Sequence, residues 1–306
     1  MNKTNLFNEI IKDRGSFDRY RNSKEIFMPL IKYIYEINHL KLGEVSVTPQ
    51  SSDAVFIAGD TVIKIFQPPE ADFSNPGEYN IESQAMMFCK SLGVLTPDII
   101  RTGTVYDSLY TFNYNIMNYI DGIDEGEAVS GYNNSEKIDH ALKLKEISGK
   151  IHIPTDINIP RYDDPCKMNH RLWNIMPESF REDRKIYLSN VKFPEPVFSQ
   201  GDFGGNNMII DKYKNIYLID FAESMLAPYY YDDGYPFGGD PVILEAYFGD
   251  YKTEEFYEKQ LITWLINWFG AVLIDWRTKD MGIDFASITS VNALRDMIIK
   301  GIEGGF

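Results

Sequence analysis

Polar residues fill the start of the chain, and the first regular pattern follows Ser23 and Lys24, where Phe27, Leu30, Ile34 and Ile37 recur at a helical interval. Pro29 falls inside this pattern and is tolerable only in a first helical turn, because later turns need the N–H that proline lacks. The period then changes. Val45–Val47, Ala54–Ala58 and Thr61–Phe66 are short apolar runs, with the polar loop Thr48–Asp53 after the first and a Gly59-Asp60 hairpin signal after the second. Pro68, Pro69, Pro76 and Gly77 mark a loop before a helix with Ile81, Ala85, Phe88 and Leu92 on one face, which stops at Gly93. Ile99–Val105 and Tyr110–Ile120 read as two more strands, closed by Asp121-Gly122.

Beyond that point the pattern is mostly helical. Ser135 opens a helix with Ala141, Leu144, Ile147 and Ile151 in register, and further helices are predicted around Met168–Arg181 and from Glu254 to Trp276. One strand pair, Asn207–Asp211 and Ile216–Asp220, lies between them. A strand-rich first third followed by a helical remainder predicts an α+β fold in two lobes, residues 1–117 and 118–306, joined near 117–122. The length of 306 residues agrees, since a single core usually stops growing at about 250–300 residues.

Composition narrows the partners. Hydrophobic residues are 44% and charged residues 25% of the chain, the balance of a folded protein rather than a disordered one. Asp and Glu total 45 against 30 Lys and Arg, a formal charge of −15, and the cationic clusters are no longer than pairs. Nucleic acid and anionic membrane surfaces are therefore not expected partners, because both require clustered Lys and Arg. The acidic surplus either attracts a cationic ligand or only aids solubility. Cys89 and Cys166 are far apart and outside any CxxC context, which fits a reducing, cytoplasmic compartment and no metal cluster. Met1–Ser16 has no apolar signal core, and the most apolar stretch, Leu261–Ile274, is too short and too polar to span a bilayer. It reads as a buried helix.

The chemistry concentrates in Ser199-Gln200-Gly201-Asp202-Phe203-Gly204-Gly205-Asn206-Asn207 and Ile216-Tyr217-Leu218-Ile219-Asp220-Phe221. Phosphoryl transfer from a nucleotide needs a carboxylate that orients the attacking hydroxyl and oxygen ligands that hold Mg²⁺ against the phosphates. Asp202 suits the first role, Asn207 and Asp220 the second. A hairpin turn of two or four residues would set Asn207 directly opposite Asp220 on one face, with Cβ atoms about 5 Å apart. A turn of three or five residues would break that register. Upstream, Lys64 stands isolated among Val62, Ile63, Ile65 and Phe66, where its ammonium must either reach an anion or snorkel to water.

The motif Gly201-Asp202-x4-Asn207 followed by Ile219-Asp220-Phe221 resembles the signature of the aminoglycoside phosphotransferase and choline kinase family, distant relatives of protein kinases. The resemblance spans roughly Val45 to Asp250. It implies a two-lobed protein-kinase-like fold with a small antiparallel β-sheet lobe and a larger, mostly helical one. It further implies Mg²⁺ as cofactor, ATP or GTP as donor, Asp202 as catalytic base, and Asn207 and Asp220 as metal ligands. One position departs: Gln200 stands where the family usually carries a His that supports the metal-binding segment.

On the same resemblance, Lys64 is the phosphate-binding lysine, with Glu82 on the next helix as its partner and Glu78 one turn earlier as the alternative. The loop Gln50-Ser51-Ser52-Asp53 is similar to the family's short, Ser-containing phosphate loop, which assigns Ser51 and Ser52 to the nucleotide. Tyr114–Gly122 resembles the adenine-binding hinge, with Asn118 and Ile120 contributing backbone groups. Read from its residues alone, it is an apolar strand ending in an Asp-Gly turn. Lys145–His152 resembles the helix that ends Leu-His in the family, where His152 is structural. Beyond the metal residue, Glu223, Asp232, Asp233 and Asp240 lie among tyrosines and either contact a cationic acceptor or form an ordinary solvated loop; Asp163-Asp164 is a further acidic candidate. The expected activity is phosphorylation of a small-molecule hydroxyl, an aminoglycoside-like antibiotic first, and a homoserine-, choline- or sugar-type metabolite as the alternative. A nucleotide-binding regulatory protein with little turnover is the reading from another class.

Overall fold

The computed structural model describes residues 5–48, 51–71, 77–162, 171–234 and 240–304. Cys166, Asp163, Asp164 and Gln50 lie outside the described residues. The chain forms two compact units. The first comprises Met1–Ser91, Leu95–Gly122 and Asp211–Glu223, and the second Leu92–Val94, Ile123–Ile210 and Ser224–Phe306. The division thus falls near residue 122 rather than 117, and the segment carrying Asp220, expected in the second lobe, is grouped with the first.

In the first unit, α1 (Arg14–Tyr20) has Asp13 and Ser16 as a reciprocal capping box, and α2 (Lys24–Ile37) has Ser23 as its N-cap. Pro29 is the sixth residue of α2, past the first turn where it was expected, and its ring faces solvent. Five antiparallel strands follow: β1 (Val45–Val47), β2 (Ala54–Ala58), β3 (Thr61–Ile65), and, after α3 (Glu78–Ser91), β4 (Ile99–Tyr106) and β5 (Thr111–Asn118), in the order β1-β2-β3-β5-β4. Alternation divides the sheet into two faces. Ala54 opposite Ile65, and Phe56 opposite Ile63, belong to the core that includes Phe17, Phe27, Leu30 and Ile34. The other face carries Val55, Lys64 and Asn115 in one cross-strand row. Helix α3 buries Ile81, Glu82, Ala85 and Met86 and contacts β5, so its one buried acid is brought to the face that holds Lys64.

In the second unit, β6 (Gly122–Asp124) leads to α4 (Glu125–Ser130) and α5 (Asn134–Ile151), whose start is fixed by an Asn133–Glu136 capping box. The helix expected around Met168–Arg181 is displaced. Arg171–Ile175 is a 3-10 turn, and α6 runs Glu178–Ser189 after Pro177, which sits at the N-cap. Strand β7 (Val197–Ser199) precedes the Gly201-Asp202-x4-Asn207 motif, which is followed by β8 (Met208–Asp211), while β9 (Ile216–Leu218) belongs to the first unit. Strand β10 (Met225–Ala227) pairs antiparallel with β7.

Four helices complete the unit: α7 (Pro241–Phe248), α8 (Glu254–Ile266), α9 (Gly270–Asp280) and α10 (Val291–Gly304). The single helix predicted from Glu254 to Trp276 is two. Asn267 takes an extended conformation (ψ 135°) and its Oδ1 accepts from the Phe269 N–H at 2.8 Å, which ends α8. A Cβ on Gly270 would lie 2.0 Å from the Trp264 carbonyl oxygen, so this close restart of α9 needs glycine. The core of the unit gathers Trp173, Phe180, Leu261, Trp264, Leu265 and Ile274. No helix among the described residues is long and apolar enough to cross a membrane.

Candidate active site

The first unit holds a buried charge cluster built on β3. Lys64 is 4% exposed, and its Nζ lies 2.5 Å from Glu82 Oε2, 2.8 Å from Asp220 Oδ1 and 3.3 Å from Asp53 Oδ2. It does not snorkel. Of the two acids proposed from the helix face, Glu82 makes the pair, and Asn115 Nδ2 donates to its other oxygen at 3.4 Å. Burial opposes the charge on Lys64, but Asp220, Glu82 and Asp53 outweigh it and hold the ammonium well above its ordinary range. Burial pushes Glu82 up to about 7 and, with Asp53 and Glu223 nearby, Glu78 up to about 8. For Asp220, burial is overcome by Lys64 and by the Ala222 backbone, and the carboxyl stays below its usual range.

Asp220 itself sits at φ 54°, a left-handed conformation uncommon outside glycine. Its turn also departs from the expected register. Asp211 N–H donates to Asn215 O (3.1 Å) and Lys214 N–H to Asp211 O (2.9 Å), so the loop has three residues, with Lys214 left-handed at φ 61°. A count outward from this turn does not set residue 207 opposite 220, and the hairpin register is no longer an argument for that pair.

The other residues expected at the nucleotide take distinct places. Ser51 Oγ accepts from the Asp53 N–H at 3.1 Å, and Ser52 O accepts from Arg14 at 3.1 Å, so both serines lie in the loop that delivers Asp53 to Lys64. Asn118 N–H is engaged by Asp98 O at 3.1 Å and Tyr119 N–H by Asp60 O at 2.9 Å. Ile120 follows just beyond the end of β5 and is buried. Asp53 was not singled out by the sequence reading, although it is a direct partner of Lys64.

The second unit holds the Gly201-Asp202-x4-Asn207 motif. Asn207 Nδ2 donates to Asp202 O (2.9 Å) and to Asp202 Oδ2 (2.7 Å), which fixes the carboxylate and turns Asn207 Oδ1 outward as an acceptor. Gln200 is 1% exposed, and its Oε1 accepts from the Asp202 N–H at 2.9 Å. The residue that replaces the family's His thus braces the loop. Gly201 at φ 89° supplies the left-handed backbone this turn requires.

Asp232 anchors the whole segment from behind. Its carboxylate accepts from Ser199 Oγ (2.5 Å), Gln200 N–H (2.9 Å), Gly201 N–H (3.0 Å) and His152 Nε2 (3.0 Å), and it is 2% exposed. The expectation that Asp232 contacts substrate is overturned, because its lone pairs are consumed inside the protein. Asp240 caps α7 through Val242 N–H and pairs with Lys137 Nζ at 2.6 Å, its side chain partly exposed. Asp233 accepts from Tyr247 OH at 3.1 Å and lines a cavity of the second unit, and Glu223 is half-buried in the first unit.

Among the described residues, no group of three or more His, Cys, Asp or Glu could by itself hold a metal ion. Mg²⁺ does not need one, since one or two carboxylates, phosphate oxygens and water complete its shell. Each unit offers donors of that kind: in the first, Asp220 is an ionised carboxylate and Asp53 Oδ1 is buried without a hydrogen-bond partner in a cluster with surplus negative charge; in the second, Asn207 has an amide oxygen.

No family model and no curated protein sequence matches the chain. Solved structures do. The GDP complex of wild-type aminoglycoside 2'-phosphotransferase-IIIa aligns with a TM-score of 0.59 at 13% identity, over 91% of this chain and 99% of that one. A thermostable mutant of aminoglycoside phosphotransferase APH(4)-Ia, in a ternary complex with ADP and hygromycin B, gives 0.58 at 14% identity, over 88% and 98%. The ternary complex of streptomycin, ATP and APH(2")-IIa gives 0.54 at 16%, over 85% and 96%. The chain therefore has the kinase-like α+β fold of the aminoglycoside phosphotransferases along most of its length.

Proposed function

We propose that this protein is a cytoplasmic phosphotransferase that moves the terminal phosphoryl group of ATP or GTP onto a hydroxyl of a small molecule, an aminoglycoside-like polycation foremost. The observation that carries the reading is Lys64 bound at once to Glu82 and Asp220. A buried lysine flanked by one helix acid and the acid of an Ile-Asp-Phe motif is the arrangement a nucleotide's phosphates require. Lys64 grips the phosphates and Glu82 orients it. Ser51 and Ser52 line the phosphate loop, and backbone groups at Asn118 and Ile120 receive the base. Asp220 and Asn207 Oδ1 would hold Mg²⁺, which supplies charge neutralisation on the phosphates when bound.

Asp202, held by the Asn207 amide and by Gln200, orients the acceptor hydroxyl and takes its proton. The acceptor oxygen bonds to the terminal phosphorus, the bridging P–O bond breaks, and the nucleoside diphosphate leaves. The formal charge of −15 favours a cationic acceptor, and structures of similar fold have been solved with hygromycin B and streptomycin. The bracing role of Gln200 favours turnover over a purely regulatory nucleotide site.

An ADP-release assay over aminoglycosides, macrolides and amino alcohols tests the reading, with Asp202→Ala as blank. Wild type should turn over at least one polycationic acceptor. Asp202→Ala should lose about 10²–10⁴-fold in kcat while its nucleotide affinity changes little. Nucleotide binding with no turnover on any acceptor would favour the regulatory reading instead.

A further inference from the structure

The second unit contains a cavity of about 670 Å³ that the catalytic loop does not line. Its walls come from the end of α5, the 3-10 turn Tyr229–Gly234, the end of α7 and the start of α8. Neither Asp202 nor Asn207 borders it. Its volume is in the range of small-molecule sites.

The chemistry of the wall is lopsided. Asp233 Oδ1 accepts from the Tyr247 hydroxyl (3.1 Å), but the same hydroxyl also reaches Ser148 Oγ at 2.8 Å. Ser148 spends its own hydrogen on Lys145 O at 3.1 Å, so one Tyr hydrogen serves two acceptors. Gln260, 2% exposed, donates Nε2 to Asp233 O at 2.9 Å and leaves Oε1 without a partner. Acceptors therefore outnumber donors where Asp233 and Gln260 meet. Above them stand the rings of Tyr229, Tyr230, Tyr247 and Phe248, with Asp250 and Glu255 exposed at the rim. Of the basic groups on the wall, Lys259 is paired with Glu255 at 2.8 Å and lies over the Tyr229 ring, His152 is paired with Asp232 at 3.0 Å, and Lys145 is exposed. A desolvated carboxylate short of donors and walled by aromatic faces is complementary to a protonated amine, through charge-assisted N–H bonds and cation–π attraction.

We propose that this cavity is a second ligand site, separate from the phosphoryl-transfer centre, and that it takes a small organic ammonium ion with its N–H groups on Asp233 and its carbon body against Tyr247 and Phe248. The site has a direct line to the catalytic loop. His152 borders the cavity and bonds Asp232, which holds the backbone of Gln200 and Gly201.

Isothermal titration of the full chain, without nucleotide, tests this with benzylammonium as probe and benzyl alcohol and benzoate as neutral and anionic controls. Benzylammonium should bind saturably and at least about tenfold tighter than either control, the discrimination of one desolvated charge contact. Asp233→Asn should erase that preference, and Phe248→Ala should weaken benzylammonium while circular dichroism shows both variants folded. Asp202→Ala should leave binding unchanged. Equal binding of benzyl alcohol, an unchanged Asp233→Asn isotherm, or competitive displacement of the probe by kanamycin would overturn the proposal, the last because the cavity would then belong to the acceptor. The measurement needs no turnover, so it stands or falls independently of the phosphotransferase reading.

Discussion

Asp233 illustrates how single residues in this protein are set by burial rather than by charge pairing. Burial raises its carboxyl from 3.8 to about 6, and His152 and the Tyr247 hydroxyl only partly offset the effect. The native state thus binds this proton more tightly than the unfolded chain, so the stability tied to it is full below about pH 4 and is lost as pH rises through 6. Asp233→Asn removes the loss. In urea titrations the variant should gain on the order of 2 kcal/mol over wild type at pH 7.5, and the gain should vanish near pH 4. A constant difference across that range would show that packing, not ionisation, governs the site. Asp53 teaches a different lesson at the same scale. The Gly59-Asp60 turn fixes Val55 opposite Lys64, and Asp53 lies two residues along on the same face, within diagonal reach of the lysine. That partner was readable from the hairpin. Asp232 was not, because its four bonds come from residues 31 to 80 positions away, and no local pattern distinguishes it from its neighbour Asp233.

At the level of elements, segments with a clear period were legible and the joints between them were not. Strands β1 and β2 fall on the expected residues because apolar runs bounded by polar loops leave little choice, and Glu82 followed from the face of α3. The break between α8 and α9 escaped notice because Leu261–Ile274 is apolar on every side apart from Thr263 and Asn267, so periodicity carries no stop signal, and the side chain of Asn267 turns the backbone. The turn after β8 escaped because Lys212–Lys214 contains no Gly to announce a left-handed residue. Lys214 nonetheless holds φ 61°, which costs a residue with a Cβ about 1 kcal/mol. Lys214→Gly should therefore raise the stability of the chain by about 0.5–1 kcal/mol, read as a higher urea midpoint with an unchanged m-value. Because residue 214 lies exposed in the turn, kcat should be unaffected. A loss of stability would mean that the lysine has a contact worth more than the backbone strain.

The whole molecule carries a formal charge of −15, and this field acts in opposite senses on the two substrates of the proposed reaction. A polycationic acceptor is drawn toward the protein, whereas an anionic nucleotide must reach Lys64 through a cluster that also contains Asp53, Glu78, Glu82, Asp220 and Glu223. Salt weakens both effects, since the screening length falls from about 30 Å at 0.01 M to about 8 Å at 0.15 M. Raising NaCl from about 20 to about 300 mM at fixed Mg²⁺ should then raise KM for a polyamine acceptor several-fold and lower or leave unchanged KM for the nucleotide. A neutral sugar or alcohol acceptor would show no such rise. The two slopes separate an electrostatically selected acceptor from a charge that serves solubility alone: with kcat constant, an acceptor KM indifferent to salt would remove charge from the account of specificity and return the neutral metabolites to first place.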